Sequence, residues 1–204
     1  MFYEPGKGHG LPHDPFKAIV APRPIGWIAT VSPEGKPNLA PYSFFNAVCG
    51  NPPMVMFSSE GRKDTVTNCE MTGEFTCSHV DESLALAMNA TAIDSPFGID
   101  EFGLAALAAA PSRLVKPPHV QGASAVLECV VTEIMSPKTR SGGPAGSIMV
   151  IGEVVGVHLD ERFLKDGLFD LAHVRPVARL GYMDYTTVSQ VWPMRRPRWK
   201  DRAG

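Results

Sequence analysis

The sequence predicts a mainly β fold with a few helices, arranged as a small antiparallel β-barrel. Glycine and proline are abundant, with 19 of each among 204 residues, which is typical of turn-rich folds. Six or seven strand-like segments are accompanied by only two or three helical ones, too few helices for a parallel α/β sheet. Two long apolar runs, residues 125–135 and 147–159, flank a flexible loop and are expected to pair as a hairpin.

The first third of the chain is expected to contribute an arm, three strands and a helix. An extended arm (1–24) ends at Pro22-Arg23-Pro24. Two strands follow at 25–31 and 37–48, joined by the turn Ser32-Pro33-Glu34-Gly35, and a third strand at 54–59 comes after the Asn51-Pro52-Pro53 break. The helix is capped by Asp64 or Thr65, runs to about Thr72 and stops at Gly73. Glycine after a helix accepts the left-handed conformation that ends it.

A strand at 74–80 is expected next, followed by a helix from Asp81 and a third helix that runs from Asp100 to Ala110. Both helices begin at an acidic residue, which suits the positive end of the helix dipole. In the run 147–159, residues 148, 150, 152, 154 and 156 share one face at period two. The two glycines on that face indicate bends of the barrel or a close approach of other atoms.

Length and charge favour one domain with an appended tail. The net charge is −2, but residues 192–204 carry +4 and the remaining 191 residues carry −6. An acidic body argues against a dedicated nucleic-acid binder, whose domain should present a basic face. The tail is therefore expected to be a solvated basic terminus.

The cysteines and apolar segments predict a cytoplasmic location. Four cysteines, at positions 49, 69, 77 and 129, form no Cys-x-x-Cys pair, so they are expected to be small buried residues in a reducing compartment. No apolar run approaches the roughly 20 residues of a membrane span, and the N-terminus has no signal-peptide core.

Several enzyme classes lack their motifs. The chain has no G-x-G-x-x-G, no phosphate-binding P-loop and no G-x-S-x-G element. Ser78 and His79 point to opposite faces of a strand, which argues against a hydrolase triad. No metal site is expected, because His9 and His13 lie on the arm, and the remaining histidines at 119, 158 and 173 are isolated in sequence.

Polar donors concentrate between residues 23 and 68. Hydroxyl and amide side chains follow the three strands: Thr30, Asn38, Tyr42, Ser43, Asn46, Ser58 and Ser59. They lead to a helix start that carries Arg62, Lys63, Asp64, Thr65 and Asn68. Free N–H groups at a helix N-terminus, with adjacent cations and a hydroxyl, form a plausible dianionic phosphate site. A plain helix cap at Asp64 and a surface charge at Lys63 explain the pattern equally well.

The same stretch resembles the flavin reductase-like family. The similarity is carried by PRPIGWIATVSPEGKPNLAPYSFFNAVCGNPPMVMFSS and GRKDTVTNCEMTGEF and continues through ECVVTEI, GEVVGVHLD and PVARLGYMDY, covering roughly residues 11–197. The resemblance implies an FMN-binding split barrel, a small antiparallel Greek-key β-barrel. This domain is expected to span residues 23–191, between an N-terminal arm (1–22) and the basic tail (192–204).

The resemblance also implies roles for individual residues. Those expected to line the flavin ring, mainly through backbone amides, are Pro41, Tyr42, Ser43, Phe44, Phe45 and Asn46. Ser58 and Ser59 are expected to reach the flavin or its ribityl chain, and Arg62, Lys63 and Thr65 are expected to bind the phosphate. Asn68 is expected to be a third partner of the phosphate, and Thr30 a further cofactor-binding residue. Tyr185, with Arg179 upstream, resembles an element that closes over the flavin. Arg23 either reaches the phosphate or caps a strand edge, and Phe44 and Phe45 are expected to occupy opposite faces of their strand.

The implied activity is an NAD(P)H-dependent reduction of FMN, with NADH or NADPH as co-substrate and reduced flavin passed to a separate flavin-dependent monooxygenase. No catalytic side chain is expected, because the flavin carries the hydride chemistry. A non-enzymatic FMN-binding electron carrier or sensor is the alternative. A homodimer is also expected, since the hairpin of 125–135 and 147–159 has too few polar positions to leave one face in water.

Overall fold

A computed structural model describes residues 1–199 of the chain. Its strands are β1 (Arg23–Pro24), β2 (Gly26–Val31), β3 (Pro37–Tyr42), β4 (Phe45–Gly50), β5 (Pro53–Glu60), β6 (Glu74–Ser78), β7 (Ala109–Ala110), β8 (His119–Val120), β9 (Ala125–Met135), β10 (Ser147–Leu159), β11 (Leu164–Lys165), β12 (Leu168–Phe169), β13 (Val177–Arg179) and β14 (Tyr185–Thr187). Its helices are α1 (Phe16–Ile19), α2 (Asp64–Thr72), α3 (Ala85–Ala90), α4 (Glu101–Leu104) and α5 (Leu171–Val174), with 3-10 turns at Pro5–Lys7, Glu82–Leu84 and Glu161–Phe163.

Seven antiparallel strands form the central sheet, in the order β3-β2-β6-β9-β10-β5-β4, and the sheet curls into a half-barrel. A smaller sheet, β1-β13-β14, joins the N-terminal arm to the C-terminal hairpin. The predicted fold class is confirmed, and so is the pairing of β9 with β10 as a hairpin.

Two apolar clusters fill the interior. One surrounds Trp27, whose indole N–H donates to Thr91 Oγ1 at 2.9 Å. The other packs Phe57 against Phe75, with ring centroids 5.5 Å apart. A Cβ atom at Gly152 would lie 2.4 Å from Phe75 Cε1, so the predicted close approach at a strand glycine is confirmed there.

The first predicted helix has the expected bounds, but the strand before it differs from the prediction. α2 ends at Gly73, whose φ of 72° is left-handed. The single strand expected over 37–48 is wrong, because the chain breaks at Ser43 and Phe44. β3 pairs with β2, whereas β4 turns away and pairs with β5 at the other end of the sheet.

Three further expectations need correction. The helix from Asp100 ends at Leu104, because Ala106 has a φ of 52° and Ala109–Ala110 pairs with β8. The arm is not wholly extended, since it contains α1, and a Cβ at Gly181 would lie 2.4 Å from Ala18 Cβ. Cys49 is exposed on β4, while the other three cysteines are buried as expected.

None of the helices formed by residues 1–199 has the length and apolar character that crossing a membrane requires. The basic tail is exposed from Trp192 to Trp199. Its last residues, 200–204, lie outside the described part of the chain.

Candidate functional site

A cleft of about 370 Å³ lies where the end of β3, the start of α2 and the segment 91–97 meet. It brings together two parts of the predicted site, Pro41 and Tyr42 from β3 and the Arg62–Thr65 segment from the helix start. Its lining residues are Asn38, Ala40, Pro41, Tyr42, Arg62, Lys63, Asp64, Thr65, Thr91, Ala92, Ile93, Asp94, Ser95, Phe97 and Glu101.

The N-terminus of α2 faces this cleft without a side-chain cap. Lys63 is the N-cap residue, and its side chain makes no capping hydrogen bond to the first turn. The N–H groups of the first turn of a helix have no partner within the helix. They are therefore available to an anion, and the helix dipole favours one at this point.

A buried hydrogen bond orients the Thr65 hydroxyl at the start of α2. Asn38 Nδ2 donates to Thr65 Oγ1 at 2.9 Å and also to Thr30 Oγ1 at 3.2 Å. A hydroxyl that accepts one hydrogen bond still has its own proton to donate. Thr65 is consequently held as a donor, with Asn38 beneath it.

The two basic residues of the cleft are held only by exposed ion pairs. Lys63 Nζ lies 3.4 Å from Asp94 Oδ1, and the exposed fractions of the two side chains are 57% and 96%. Arg62 pairs with Glu70, and its side chain is also more than half exposed. Exposed ion pairs contribute little to stability, so both cations can turn toward a ligand at small cost.

Asp64 does not cap the helix, contrary to the sequence expectation. It is the first helical residue, and its Oδ2 accepts a hydrogen bond from the Gly98 N–H at 2.8 Å. Together with the Lys63–Asp94 pair, this bond ties the segment 91–98 to the start of α2. Asp64 therefore shapes one wall of the cleft.

The break between β3 and β4 exposes backbone donors. Among the described residues, the N–H groups of Ser43 and Phe44 donate to no other group, although the Phe44 carbonyl accepts from the Ser58 N–H at 2.8 Å. Ser43, Phe44 and Ser58 line a small cleft of about 150 Å³ that also includes Pro41 and Tyr42. These two backbone donors, at the point where β3 ends, belong to residues that are predicted to line the flavin ring.

The aromatic residues around this break take different positions. Phe45 packs over Gly26, where a Cβ atom would lie 2.5 Å from its ring, and belongs to the core. Phe44 instead lies beneath Lys17 Nζ, 5.7 Å from the ring centroid. Tyr42 packs on Phe57 at 4.7 Å, and burial raises the pKa of its phenol.

A third cleft, of about 250 Å³, adjoins the same strand end. It shares Pro41 and Ser43 with the small cleft and is lined by Lys17, Arg23, Ile25, Pro41, Ser43, Met88, Ala92, Arg179, Tyr182 and Tyr185. The Arg179 guanidinium stacks on the Tyr185 ring at 4.4 Å. Arg23 and Tyr185, both predicted site residues, therefore line a different cleft from Arg62, Lys63 and Thr65.

Five predicted site residues line none of these clefts, and one of them is Phe45, which packs against the core. Thr30 and Asn68 form a buried pair, in which Asn68 Nδ2 donates to Thr30 Oγ1 at 3.0 Å, and Asn68 Oδ1 has no partner among the described residues. Ser59 is buried, and its hydroxyl likewise has no partner there. Asn46 is exposed on β4 and bonds to its neighbour Ala47. Thr30 and Asn68 support the site from beneath.

Sequence reasoning missed two contributors and gave a third, Asn38, no individual role. Lys17 and Asp94 lie far in sequence from the strands they approach, and no local pattern connects them to the site. Asn38 was visible as a polar strand residue, and its period-two spacing from Ala40 and Tyr42 on the same strand was the available signal.

Two of the histidines expected to be isolated are in contact. The rings of His119 and His158 lie 4.8 Å apart, and His158 Nε2 is hydrogen-bonded to the buried carboxylate of Glu128. Glu128 also accepts from the N–H groups of Arg113, Leu114 and Val115. Although burial opposes ionisation, the bonds from His158 and the backbone lower the pKa of Glu128 to about 2.

This histidine cluster is separate from the clefts around Pro41, and none of the described residues forms a group of three or more side chains suited to hold a metal ion. Ser78 Oγ accepts a hydrogen bond from the Val120 N–H at 3.1 Å, and His79 Nδ1 is hydrogen-bonded to Ser124 Oγ at 2.9 Å.

Comparison with known proteins gives a consistent result. The family model described as "Flavin reductase like domain" matches residues 20–178. An uncharacterized protein from Deinococcus radiodurans is 35% identical over 206 residues, covering 87% of each chain. The uncharacterized protein YwrF from Bacillus subtilis is 31% identical, covering 87% of this chain and 89% of its own.

Two solved structures are similar over nearly their whole length. Nitrilotriacetate monooxygenase component B from Bacillus cereus is 30% identical with a TM-score of 0.86, covering 95% of this chain and 98% of that one. The 2-nitrobenzoate 2-nitroreductase NbaA from Pseudomonas fluorescens is 26% identical with a TM-score of 0.80, covering 93% and 92%.

Proposed function

The chain belongs to the flavin reductase-like family and is a flavin-related oxidoreductase, and we propose that it binds FMN and reduces it with NADH or NADPH. The observation that carries this proposal is the uncapped start of α2, where Arg62, Lys63 and Thr65 share a cleft with Pro41 and Tyr42. The domain responsible is taken to span residues 23–191, between the arm and the basic tail.

The donors at this cleft fit a phosphate dianion. Asp64 and Thr65, the first two residues of α2, line the cleft together with the cations Arg62 and Lys63. Hydrogen bonds between ionised partners are the strongest ones available to a protein. Two of the cleft's carboxylates are engaged elsewhere, since Asp64 accepts from Gly98 and Glu101 accepts from Leu39 and Ser95. The third, Asp94, competes for Lys63.

The strand break fits a flavin ring. The free N–H groups of Ser43 and Phe44 are fixed donors, positioned before any ligand arrives. A reduced flavin gains negative charge near N1 and the C2 carbonyl, and fixed donors stabilise such charge without reorganisation. We assign the ring to the surface formed by Pro41, Tyr42, Ser43 and Phe44, with Ser58 at its edge.

Bound FMN would supply the redox chemistry, the acceptance of a hydride from a nicotinamide. The protein's own contribution is to anchor the phosphate at α2, to hold donors at the strand break and to stack two rings at short distance. No acid–base side chain is needed for this transfer, so no residue is assigned a catalytic role.

Transfer of reduced flavin to a separate monooxygenase is part of the proposal. It is supported by the similarity to a structure whose name is nitrilotriacetate monooxygenase component B. A homodimer is proposed as well, because the outer surface of β9 and β10 exposes apolar side chains: Val130, Val155, Val157 and Leu159. Exposed apolar side chains on a sheet surface are typical of an interface.

The test is an anaerobic titration of the FMN-loaded protein with NADH and with NADPH, followed by flavin absorbance. Rapid bleaching, with turnover when an electron acceptor is added, is the expected result. A yellow protein that responds to neither nucleotide is instead a carrier or sensor, and the proposed reductase activity is then wrong. Release of FAD alone on denaturation contradicts the cofactor assignment.

A further inference from the structure

Two arginines line the third cleft without a carboxylate partner. The cleft is formed by the arm, the end of β3 and the C-terminal hairpin, and it contains Lys17, Arg23 and Arg179 but no Asp or Glu. Among the described residues, neither Arg23 nor Arg179 has a carboxylate oxygen within 4.0 Å. This concentration of positive charge is unusual in a chain whose body is net acidic.

Arg23 is the more costly of the two to leave without a counter-charge. It is only 6% exposed, and its guanidinium donates to the Leu180 carbonyl at 2.8 Å and to the carbonyls of Lys17 and Val20. Its Nε is buried and has no acceptor among the described residues. Buried charges are ordinarily paired, and buried donors ordinarily have acceptors. Burial, and then the nearby charge of Arg179, lower the pKa of Arg23.

Arg179 and the two tyrosines form the wall of the cleft. Arg179 stacks on Tyr185 and donates to the Tyr182 carbonyl at 2.6 Å, which fixes its guanidinium in place. Lys17 adds a third charge, held only by an exposed ion pair with Glu60 at 3.2 Å. Ile25 and Met88 provide apolar contact. The cleft thus combines oriented cations with a surface for a planar group.

We propose that this cleft binds an oxyanion, a phosphate or a carboxylate, carried by the second ligand that meets the flavin. An oxyanion in the cleft would neutralise the two guanidinium groups, which no carboxylate among the described residues does. The cleft reaches the assigned flavin surface at Pro41 and Ser43. That this ligand joins a bound flavin rests on the proposed function, whereas anion binding by the cleft does not.

The FMN phosphate is not the anion in question. Arg62, Lys63 and Thr65 line the cleft at α2, and that cleft shares only Pro41 and Ala92 with the Arg23–Arg179 cleft. Two sources of the oxyanion remain chemically equivalent here, the phosphates of a nicotinamide dinucleotide and the carboxylate of an aromatic acceptor.

Isothermal titration of FMN-free protein with inorganic pyrophosphate and with benzoate tests the proposal. We expect at least one probe to bind, and Arg179→Gln to weaken that binding by about tenfold or more, because a charge-assisted hydrogen bond is lost. Arg179→Lys should lose less. The matched control is Arg175→Gln, an exposed arginine that pairs with Glu82 at 2.7 Å and lies outside the cleft.

Failure of both probes to bind, or equal losses in Arg179→Gln and Arg175→Gln, overturns the proposal. FMN and riboflavin titrations of the same variants separate it from the proposed function. If Arg179→Gln weakens FMN tenfold and riboflavin not at all, the cleft holds the FMN phosphate and the proposal is wrong. If the anion binds but FMN does not, the anion site stands and the proposed function fails.

Binding to FMN-loaded protein identifies the source of the oxyanion. Displacement of pyrophosphate by NADH or NADPH assigns the phosphate of the electron donor, and displacement of benzoate alone assigns a carboxylate acceptor. If Arg179→Gln does not fold, Arg179→Lys and the salt dependence of wild-type binding carry the same test. Binding that is insensitive to both contradicts the proposal.

Discussion

The start of α2 and the Glu128–His158 cluster both bring charged and polar groups together, but they differ in how many of those groups have hydrogen-bond partners. Glu128 is fully buried and accepts three backbone N–H groups in addition to its bond with His158. At α2, the first-turn N–H groups are uncapped and Lys63 is held only by an exposed aspartate. Satisfied groups stabilise the fold, whereas oriented groups with spare donors mark the place where a ligand binds.

The largest expected effect is a loss of stability in the Glu128–His158 cluster. Glu128→Ala should lower the free energy of unfolding by roughly 3–5 kcal/mol, because it breaks a buried pair and leaves buried N–H groups without an acceptor. Chemical denaturation measures the loss. Glu128→Gln, which keeps an acceptor oxygen, is the control and should lose less. A loss of FMN affinity in the folded variant, without a loss of stability, would reverse the assignment.

The same carboxylate gives the cluster a pH signature. Its pKa in the folded protein is about 2, below the ordinary value of 4.5, so the ionised form stabilises the fold. That contribution is fully present above about pH 4.5 and is lost as the pH falls toward 2. Denaturation curves recorded across this window should show a smaller decline in Glu128→Gln than in wild type. Equal declines contradict the assignment.

On the ligand side, Thr65→Val should weaken FMN binding by about tenfold, because the oriented hydroxyl is removed while the side-chain shape is kept. Riboflavin, which lacks the phosphate, serves as the matched ligand and should bind almost as it does to wild type. Fluorescence quenching of either flavin measures both constants. Equal losses for the two ligands would mean that the variant disturbs the cleft as a whole.

Asp64→Ala tests whether Asp64 contributes to stability or to FMN binding. Because the Asp64 carboxylate bonds to Gly98 rather than to the helix start, its loss should cost about 1 kcal/mol of stability. FMN affinity should change by less than about threefold, a difference below roughly 0.7 kcal/mol. A larger loss of affinity than of stability would place Asp64 among the ligand-binding groups.

The smallest effect is expected at Asp94. Asp94→Asn removes the exposed partner of Lys63, which should tighten FMN binding by no more than about fivefold, the range of an exposed ion pair. The melting temperature should not change. Weaker FMN binding in this variant would show that Asp94 supports the cleft instead of competing with the phosphate.

The elements that depend on local residue patterns could be predicted from the sequence. α2 could be bounded because Gly73 takes a left-handed conformation after it, and the β9–β10 hairpin because period-two runs flank its loop. The Ser43–Phe44 break could not be predicted, because the apolar pattern continues through it while the pairing partner changes from β2 to β5.

Contacts between segments far apart in the sequence could not be predicted either. His158 meets Glu128 and His119 across strands 30 residues or more apart. Arg23 lies beside Arg179 because β1 pairs with β13. The helix start is predicted to be a phosphate site from its residue types, yet its geometry depends on Asn38, which lies on β3 and donates to Thr65.

We propose above that the uncapped start of α2 anchors the phosphate of FMN. The most direct test is the ratio of the riboflavin and FMN dissociation constants, measured on FMN-free wild type and on Lys63→Ala. We expect a ratio well above one in wild type and a fall of about tenfold in Lys63→Ala, caused by weaker FMN binding alone. A ratio near one in wild type, or one that is unchanged in the variant, would contradict it.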